Sequence, residues 1–228
     1  MKYKNQPDAA NLLPLALAFL ILSLSGCTNS REQPLNTPPT PPRELYLESQ
    51  RKVARGEYEG AYDDYQKSVA ADPKLANASY LSYILYTWVS SQSEAAELPL
   101  LNAQKQVMLT PKQFVPRHEL LSVAVNKEED TIQAFGLGLV PTNPSQVGLN
   151  EISKIGTVQK RLLAHEAALV DAQTWVARLA TWTKTGVEGP FDVSRTVVGV
   201  QALKEFWIGE TIFVIKVEAP LEKNAHPY

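Results

Sequence analysis

The apolar positions along the chain fall into three kinds of pattern. Residues 12–24 form one uninterrupted apolar run, LLPLALAFLILSL. Residues 80–88 and 150–185 carry apolar or aromatic side chains at helical spacing, which predicts helices. Shorter apolar or β-branched runs, bounded by proline, glycine or polar clusters, predict strands at residues 106–110, 120–125, 131–140, 191–203 and 210–219. We therefore expect an α+β fold, in which N-terminal helical hairpins precede a small β-sheet packed on one long helix, within residues 105–228.

The long helix predicted at residues 150–185 has a suitable cap in Asn150 and a stop at Gly186. Its apolar stripe has heptad spacing and one gap, which His165 fills; the stripe consists of Ile155, Val158, Leu162, Leu169, Ala172, Val176 and Leu179. This stripe fits three arrangements: the helix packs across the sheet, folds back as a hairpin, or forms a coiled coil with a second copy of the chain. Fewer than five heptads favour packing within the chain. Gly136 and Gly138, in a predicted strand, indicate either a bulge or a close approach of backbone.

The N-terminal apolar run follows a short basic start and has the character of an export signal. Its 13 residues are too few to span a bilayer, which takes about 20. The run ends in Leu24-Ser25-Gly26-Cys27, which resembles the lipobox of bacterial lipoproteins. The resemblance implies cleavage between Gly26 and Cys27, so that residues 1–26 are removed, and diacylglycerol on the Cys27 sulfur. It also implies a place in the bacterial cell envelope. With threonine and not aspartate at position 28, it favours the outer membrane, facing the periplasm. An ordinary signal peptide, or a membrane helix, with a coincidental cysteine is the alternative.

Residues 27–43 follow as a proline-rich tether. Five prolines stand among residues 34–42, a density that excludes helix and inner strand and favours extended geometry. Binding to a proline-recognising domain is the second interpretation, after that of a solvated linker.

Residues 44–104 contain a second family-like pattern. A turn glycine, two aromatic positions, two small positions and a closing proline occur at the spacing of a tetratricopeptide repeat (TPR): Gly56, Tyr58, Ala61, Tyr65, Ser68 and Pro73. The segment resembles one and a half such repeats, although Ser49 stands where the family usually has glycine. The resemblance implies a surface for a protein partner, for which Tyr58, Tyr62 and Tyr80 are the candidate residues. Two core helices that share the pattern only for packing are an equally weighted alternative.

The composition excludes several kinds of site and partner. The formal net charge of −2 gives no electrostatic reason to bind nucleic acid, and the single cysteine excludes an internal disulfide and a cysteine-based metal site. We expect no catalytic residue, no metal and no cofactor. His165 is interpreted as a packed histidine, because Leu162 and Leu169 flank it on its helix face. Trp175 and Trp182 are interpreted as core or docking residues.

These features together predict a lipid-anchored interaction or assembly lipoprotein, a scaffold in an envelope machine and not an enzyme. Its expected partners are the membrane, through the anchor, and a protein of the cell envelope. A cell-wall-acting enzyme, or a regulator of one, is the alternative.

Overall fold

The computed structural model describes residues 40–141, 156–185 and 199–221. Within these ranges the chain forms six α-helices and one four-stranded antiparallel sheet, with the helical hairpins first. The predicted α+β fold is thereby confirmed. The chain divides into two compact units. We call them the helical unit, described over residues 40–120 together with Pro141 and Gly156, and the sheet unit, described over residues 121–140, 157–185 and 199–221.

The helical unit contains helices α1 (Pro42–Arg55), α2 (Tyr58–Ala71), α3 (Ala78–Gln92) and α4 (Leu98–Leu109), with a short 3₁₀ helix at Pro73–Leu75. Gly56 ends α1 in the left-handed conformation, with φ of 78°. The N–H groups of Gly56 and Glu57 close the helix by donating to the carbonyls of Val53 and Lys52, at 3.0 and 2.9 Å. The turn glycine predicted from the repeat pattern is therefore confirmed.

Helix α5 spans Phe114–Ala124, of which residues 114–120 are assigned to the helical unit and residues 121–124 to the sheet unit. The strands predicted at residues 106–110 and 120–125 are wrong, because α4 and α5 occupy those positions and strand β1 is only Val125–Asn126. The error came from treating the prolines as strand boundaries. Pro116 lies in the first turn of α5, where a helix has no hydrogen bond for the missing N–H to lose.

The sheet unit contains strands β1, β2 (Thr131–Leu139), β3 (Gln201–Ile208) and β4 (Ile212–Pro220), in the order β1-β2-β4-β3. All neighbouring pairs are antiparallel, and β3 and β4 form a hairpin with Gly209 at φ of 56° in the turn. The strands predicted at residues 131–140 and 210–219 are confirmed. Of the strand predicted at residues 191–203, residues 191–198 lie outside the described residues.

Helix α6 (Thr157–Thr185) packs across the sheet against β2 and β4. The long helix is confirmed over these residues, and residues 150–155 lie outside the described part. Gly136 and Gly138 mark a close approach: a Cβ on Gly138 would lie 1.8 Å from the carbonyl oxygen of Ala164. A Cβ on Gly136 would lie 2.0 Å from the carbonyl oxygen of Ala168. Both glycines are therefore required for the helix backbone to rest on the strand backbone.

The predicted heptad stripe holds only in the second half of α6. Ala172, Val176 and Leu179 are buried, whereas Val158 is 81% exposed and Leu162 is 56% exposed. In the first half, Ala164 and Ala168 face the sheet at a spacing of four. Small side chains replace the large ones there because the glycines of β2 bring the two backbones together.

Candidate functional site

Four tyrosines from three helices form one aromatic group in the helical unit, which we call the tyrosine cluster: Tyr46 of α1, Tyr65 of α2, and Tyr80 and Tyr83 of α3. The ring of Tyr80 has its centroid 5.1 Å from that of Tyr46 and 5.5 Å from that of Tyr65, edge-on in the second case. Tyr83 stacks on Tyr80 at 6.5 Å. These separations are those of favourable aromatic pairs.

Ser49 fixes the position of Tyr80. Its side chain is fully buried, and its hydroxyl donates to the carbonyl oxygen of Ala61 at 2.7 Å and lies 3.0 Å from the Tyr80 hydroxyl. One serine on α1 thus contacts α2 and α3 together. The departure from the repeat pattern at this position therefore supplies a polar link that glycine cannot make.

Tyr65 fixes the start of α3. Its hydroxyl donates to the carbonyl of Asn77 at 3.1 Å and accepts from the N–H of the same residue at 2.9 Å. The side chain of Asn77 in turn caps α3 by accepting from the N–H of Tyr80 at 3.0 Å. The base of the tyrosine cluster is therefore held by hydrogen bonds to the backbone at the start of α3.

Burial raises the pKa of both Tyr65 and Tyr80 above the ordinary value for tyrosine. Their hydroxyls accordingly stay protonated at physiological pH. The rim of the cluster is more accessible than its base: Tyr83 is 38% exposed, whereas Tyr65 is 3% exposed.

The three tyrosines nominated from the sequence do not share one surface. Tyr80 belongs to the tyrosine cluster, but Tyr62 is 3% exposed, and burial raises its pKa to about 12. Tyr58 lines a separate open depression of about 560 Å³, beside Trp88, Ser91 and Gln92 at the far end of α3. Tyr62 is therefore a core residue. Tyr58, the first residue of α2, lies beside the last turn of α3, whereas Tyr80 lies in the first turn of α3.

Sequence reasoning missed Tyr46 and Tyr83, although a signal for each exists. Tyr83 follows Tyr80 by three residues and Tyr46 precedes Ser49 by three, spacings that place each pair on one helix face. The pattern of Tyr58, Tyr62 and Tyr65, at intervals of four and three, is in contrast that of a core-facing stripe. Tyr62 and Tyr65 are indeed buried.

Lys52 and Asp64 form the ion pair that joins α1 to α2 beside the depression. The Lys52 Nζ lies 2.7 Å from the Asp64 carboxylate, and its alkyl chain crosses Gly60, where a Cβ would be 3.3 Å from the Lys52 Cδ. The carboxylate raises the pKa of Lys52 by hydrogen bonding to the ammonium. The pair links the two helices and leaves neither charge fully available to a ligand.

His165 lies at the edge of the contact between α6 and the sheet. Its ring packs on Phe213 at 4.9 Å, and its Nε2 is 3.7 Å from the Glu205 carboxylate. The side chain is 38% exposed. His165 is thus packed against an aromatic ring, as expected, but it remains partly open to solvent.

Among the described residues of the sheet unit, the carboxyl group of Asp171 has the largest shift in pKa. Its Oδ2 accepts from the N–H of Leu137 in β2 at 2.9 Å. Burial raises its pKa from 3.8 to about 6, against the opposing effects of this hydrogen bond and of Arg178. The carboxyl group thus links α6 to β2.

Trp175 and Trp182 are 2% and 3% exposed, which makes them core residues.

The part of the chain that the structure describes contains no group of three metal-ligating side chains. None of its helices is long and apolar enough to cross a bilayer. The lipobox, with Gly26 and Cys27, lies outside the described residues, so lipidation stays a prediction from the sequence.

Comparison with protein-family models, with curated proteins and with solved structures finds no match to this chain. The resemblances to lipoproteins and to TPR helices therefore rest on the quoted residues alone.

Proposed function

We propose that this protein is a lipid-anchored interaction or assembly lipoprotein of the bacterial cell envelope, held at the outer membrane and facing the periplasm. In this proposal Cys27 carries the lipid, and the tether predicted at residues 27–43 extends only to Pro41, because α1 begins at Pro42. The helical unit then contacts a protein partner through the tyrosine cluster. The observation that supports partner binding is the tyrosine cluster itself, which is built from three helices and has an exposed side chain in Tyr83.

The chemistry of the tyrosine cluster supports a role in protein binding. Tyrosine is enriched among the residues that dominate protein–protein interfaces, because it buries a large area and has only two side-chain torsions to immobilise. Fixed hydrogen bonds at Ser49 and Asn77 hold the base in place, so the cluster loses little conformational freedom on binding.

The lipobox supports the location. The apolar run, the small residues at positions 25 and 26 and the sole cysteine agree with a single processing event. Multiple acyl chains bind a bilayer far more strongly than one, since each buried methylene contributes about 0.8 kcal/mol.

A photo-cross-linking amino acid at position 83, in living cells, tests the partner-binding proposal. The same probe at position 158 is the control, because Val158 is 81% exposed and lies on α6 in the other unit. We expect a discrete adduct from position 83 that position 158 does not give and that Tyr46→Ser weakens. Identical adducts from both positions, or none from position 83, would contradict the proposal.

A further inference from the structure

The start of helix α5 presents two adjacent apolar side chains to solvent. Phe114 is 68% exposed and Val115 is 63% exposed. The neighbouring Pro116 and Leu120 are buried. Pro116 and Leu120 are four residues apart and share one face of the helix, so Phe114 and Val115 lie off that buried face.

Cationic side chains flank the exposed pair. Lys112 is exposed two residues before Phe114, and Arg117 follows Val115 by two and donates to the carbonyl of Pro111. The ring of His118 lies 6.2 Å from that of Phe114, and Glu119 is the one acidic residue between positions 110 and 120. The formal charge of this segment is therefore positive with His118 neutral, whereas that of the whole chain is −2.

An apolar pair beside cations is the chemistry that binds the interface of a bilayer with anionic lipids. Aromatic and aliphatic side chains enter the boundary between headgroups and acyl chains, and lysine and arginine meet the phosphates. We infer that Phe114 and Val115 dock the helical unit on the membrane surface, as a second contact in addition to the lipid anchor. This inference rests on the proposed function, because the bilayer is the one that Cys27 reaches.

The length of the tether permits this contact. At about 3 Å per residue, an extended segment of this length spans roughly 50 Å. This length is the largest distance between the helical unit and the bilayer, and the helical unit can also lie closer to the bilayer. Tethering also raises the effective concentration of the docking residues at the bilayer, so a weak second contact becomes significant.

A fluorescent probe beside the pair tests the inference in the full lipidated chain. Acylation converts the Cys27 sulfur to a thioether, so Gln113→Cys supplies a single free thiol for an environment-sensitive dye. Gln50→Cys on α1 is the matched control, because both glutamines are exposed. The protein is placed in vesicles of phosphatidylethanolamine and phosphatidylglycerol that carry nitroxide-labelled lipid.

We expect a blue-shifted emission and several-fold stronger nitroxide quenching at position 113 than at position 50. Replacing both Phe114 and Val115 with serine removes the difference, and Lys112→Glu reduces it on anionic vesicles. Equal quenching at the two positions would overturn the inference. A blue shift at position 113 that also appears in detergent without vesicles, and that grows with protein concentration, would overturn it too, because it would show a contact between proteins.

Intact mass of the same preparation separates the two proposals. If the acyl chains are present but the dye at position 113 shows no blue shift and no extra quenching, only the second membrane contact is refuted. A protein without acyl chains would remove the proposed anchoring and the docking inference with it.

Discussion

Replacing Gly138 with alanine should separate helix α6 from the sheet. The new Cβ would lie 1.8 Å from the Ala164 carbonyl oxygen and 2.7 Å from the Ala168 nitrogen. Both are backbone atoms, so no side chain can rotate to relieve the overlap. To restore ordinary contact, the two backbones must move apart by about 1.5 Å, and such a shift loosens the core contacts on both sides.

The expected cost follows from the size of that displacement. Overpacking by one methyl group typically destabilises a protein by about 1–3 kcal/mol, and sometimes by more. Since backbone must move at this site, we expect about 3 kcal/mol for Gly138→Ala. At roughly 2–4 °C per kcal/mol, the melting temperature falls by about 10 °C.

Thermal and urea unfolding followed by tryptophan fluorescence measure this effect, because Trp175, Trp182 and Trp207 all lie in the sheet unit. Gly156→Ala is the matched control. A Cβ at Gly156 meets nothing within 4 Å, so its stability should stay within about 0.5 kcal/mol of the original chain. A similarly small change for Gly138→Ala would refute the close approach of α6 and β2.

Three further substitutions have defined outcomes. Burial raises the pKa of Asp171 in the folded chain to about 6, so folding favours its protonated form. The free energy of unfolding is therefore highest below about pH 4 and falls as pH rises through 6, by about 1–3 kcal/mol in total. Asp171→Asn should abolish that part of the pH dependence in urea unfolding measured from pH 4 to 7, and an unchanged profile would exclude the assignment. Ser49→Ala removes the buried hydroxyl that contacts Ala61 and Tyr80 and should cost about 1–2 kcal/mol by urea unfolding, whereas the exposed Ser79→Ala should be neutral. His165→Gln should leave the adduct from position 83 intact, because His165 and Tyr83 belong to different units; loss of the adduct in a folded variant would count against the partner-binding surface.

The elements that the sequence predicted correctly have strong local signals. Gly56 ends α1, and alternating or β-branched runs became β2 and β4. The signals failed where two structures share a pattern. Short apolar runs next to Pro111 and Pro116 fit strands, but they belong to helices. Pro111 follows the end of α4 and Pro116 lies in the first turn of α5, and a helix tolerates proline at both places.

The surface was harder to predict than the fold. A tyrosine at helical spacing fits a core stripe and a binding face equally well, and only tertiary packing decides between them. Tyr62 was assigned to the surface but lies in the core, whereas Tyr46 and Tyr83 were missed. The Tyr80 position depends on Ser49, a contact between residues 31 positions apart, which no local pattern encodes.

The role of Cys27 is tested most directly by the intact mass of the protein purified from membranes of a bacterial host that processes lipoproteins. The proposed function predicts a chain that begins at Cys27 and carries the mass of two or three acyl chains. Cys27→Ala in the same host should give an unacylated protein. An unmodified chain beginning at Met1, or a processed chain without acyl groups, would contradict the proposal.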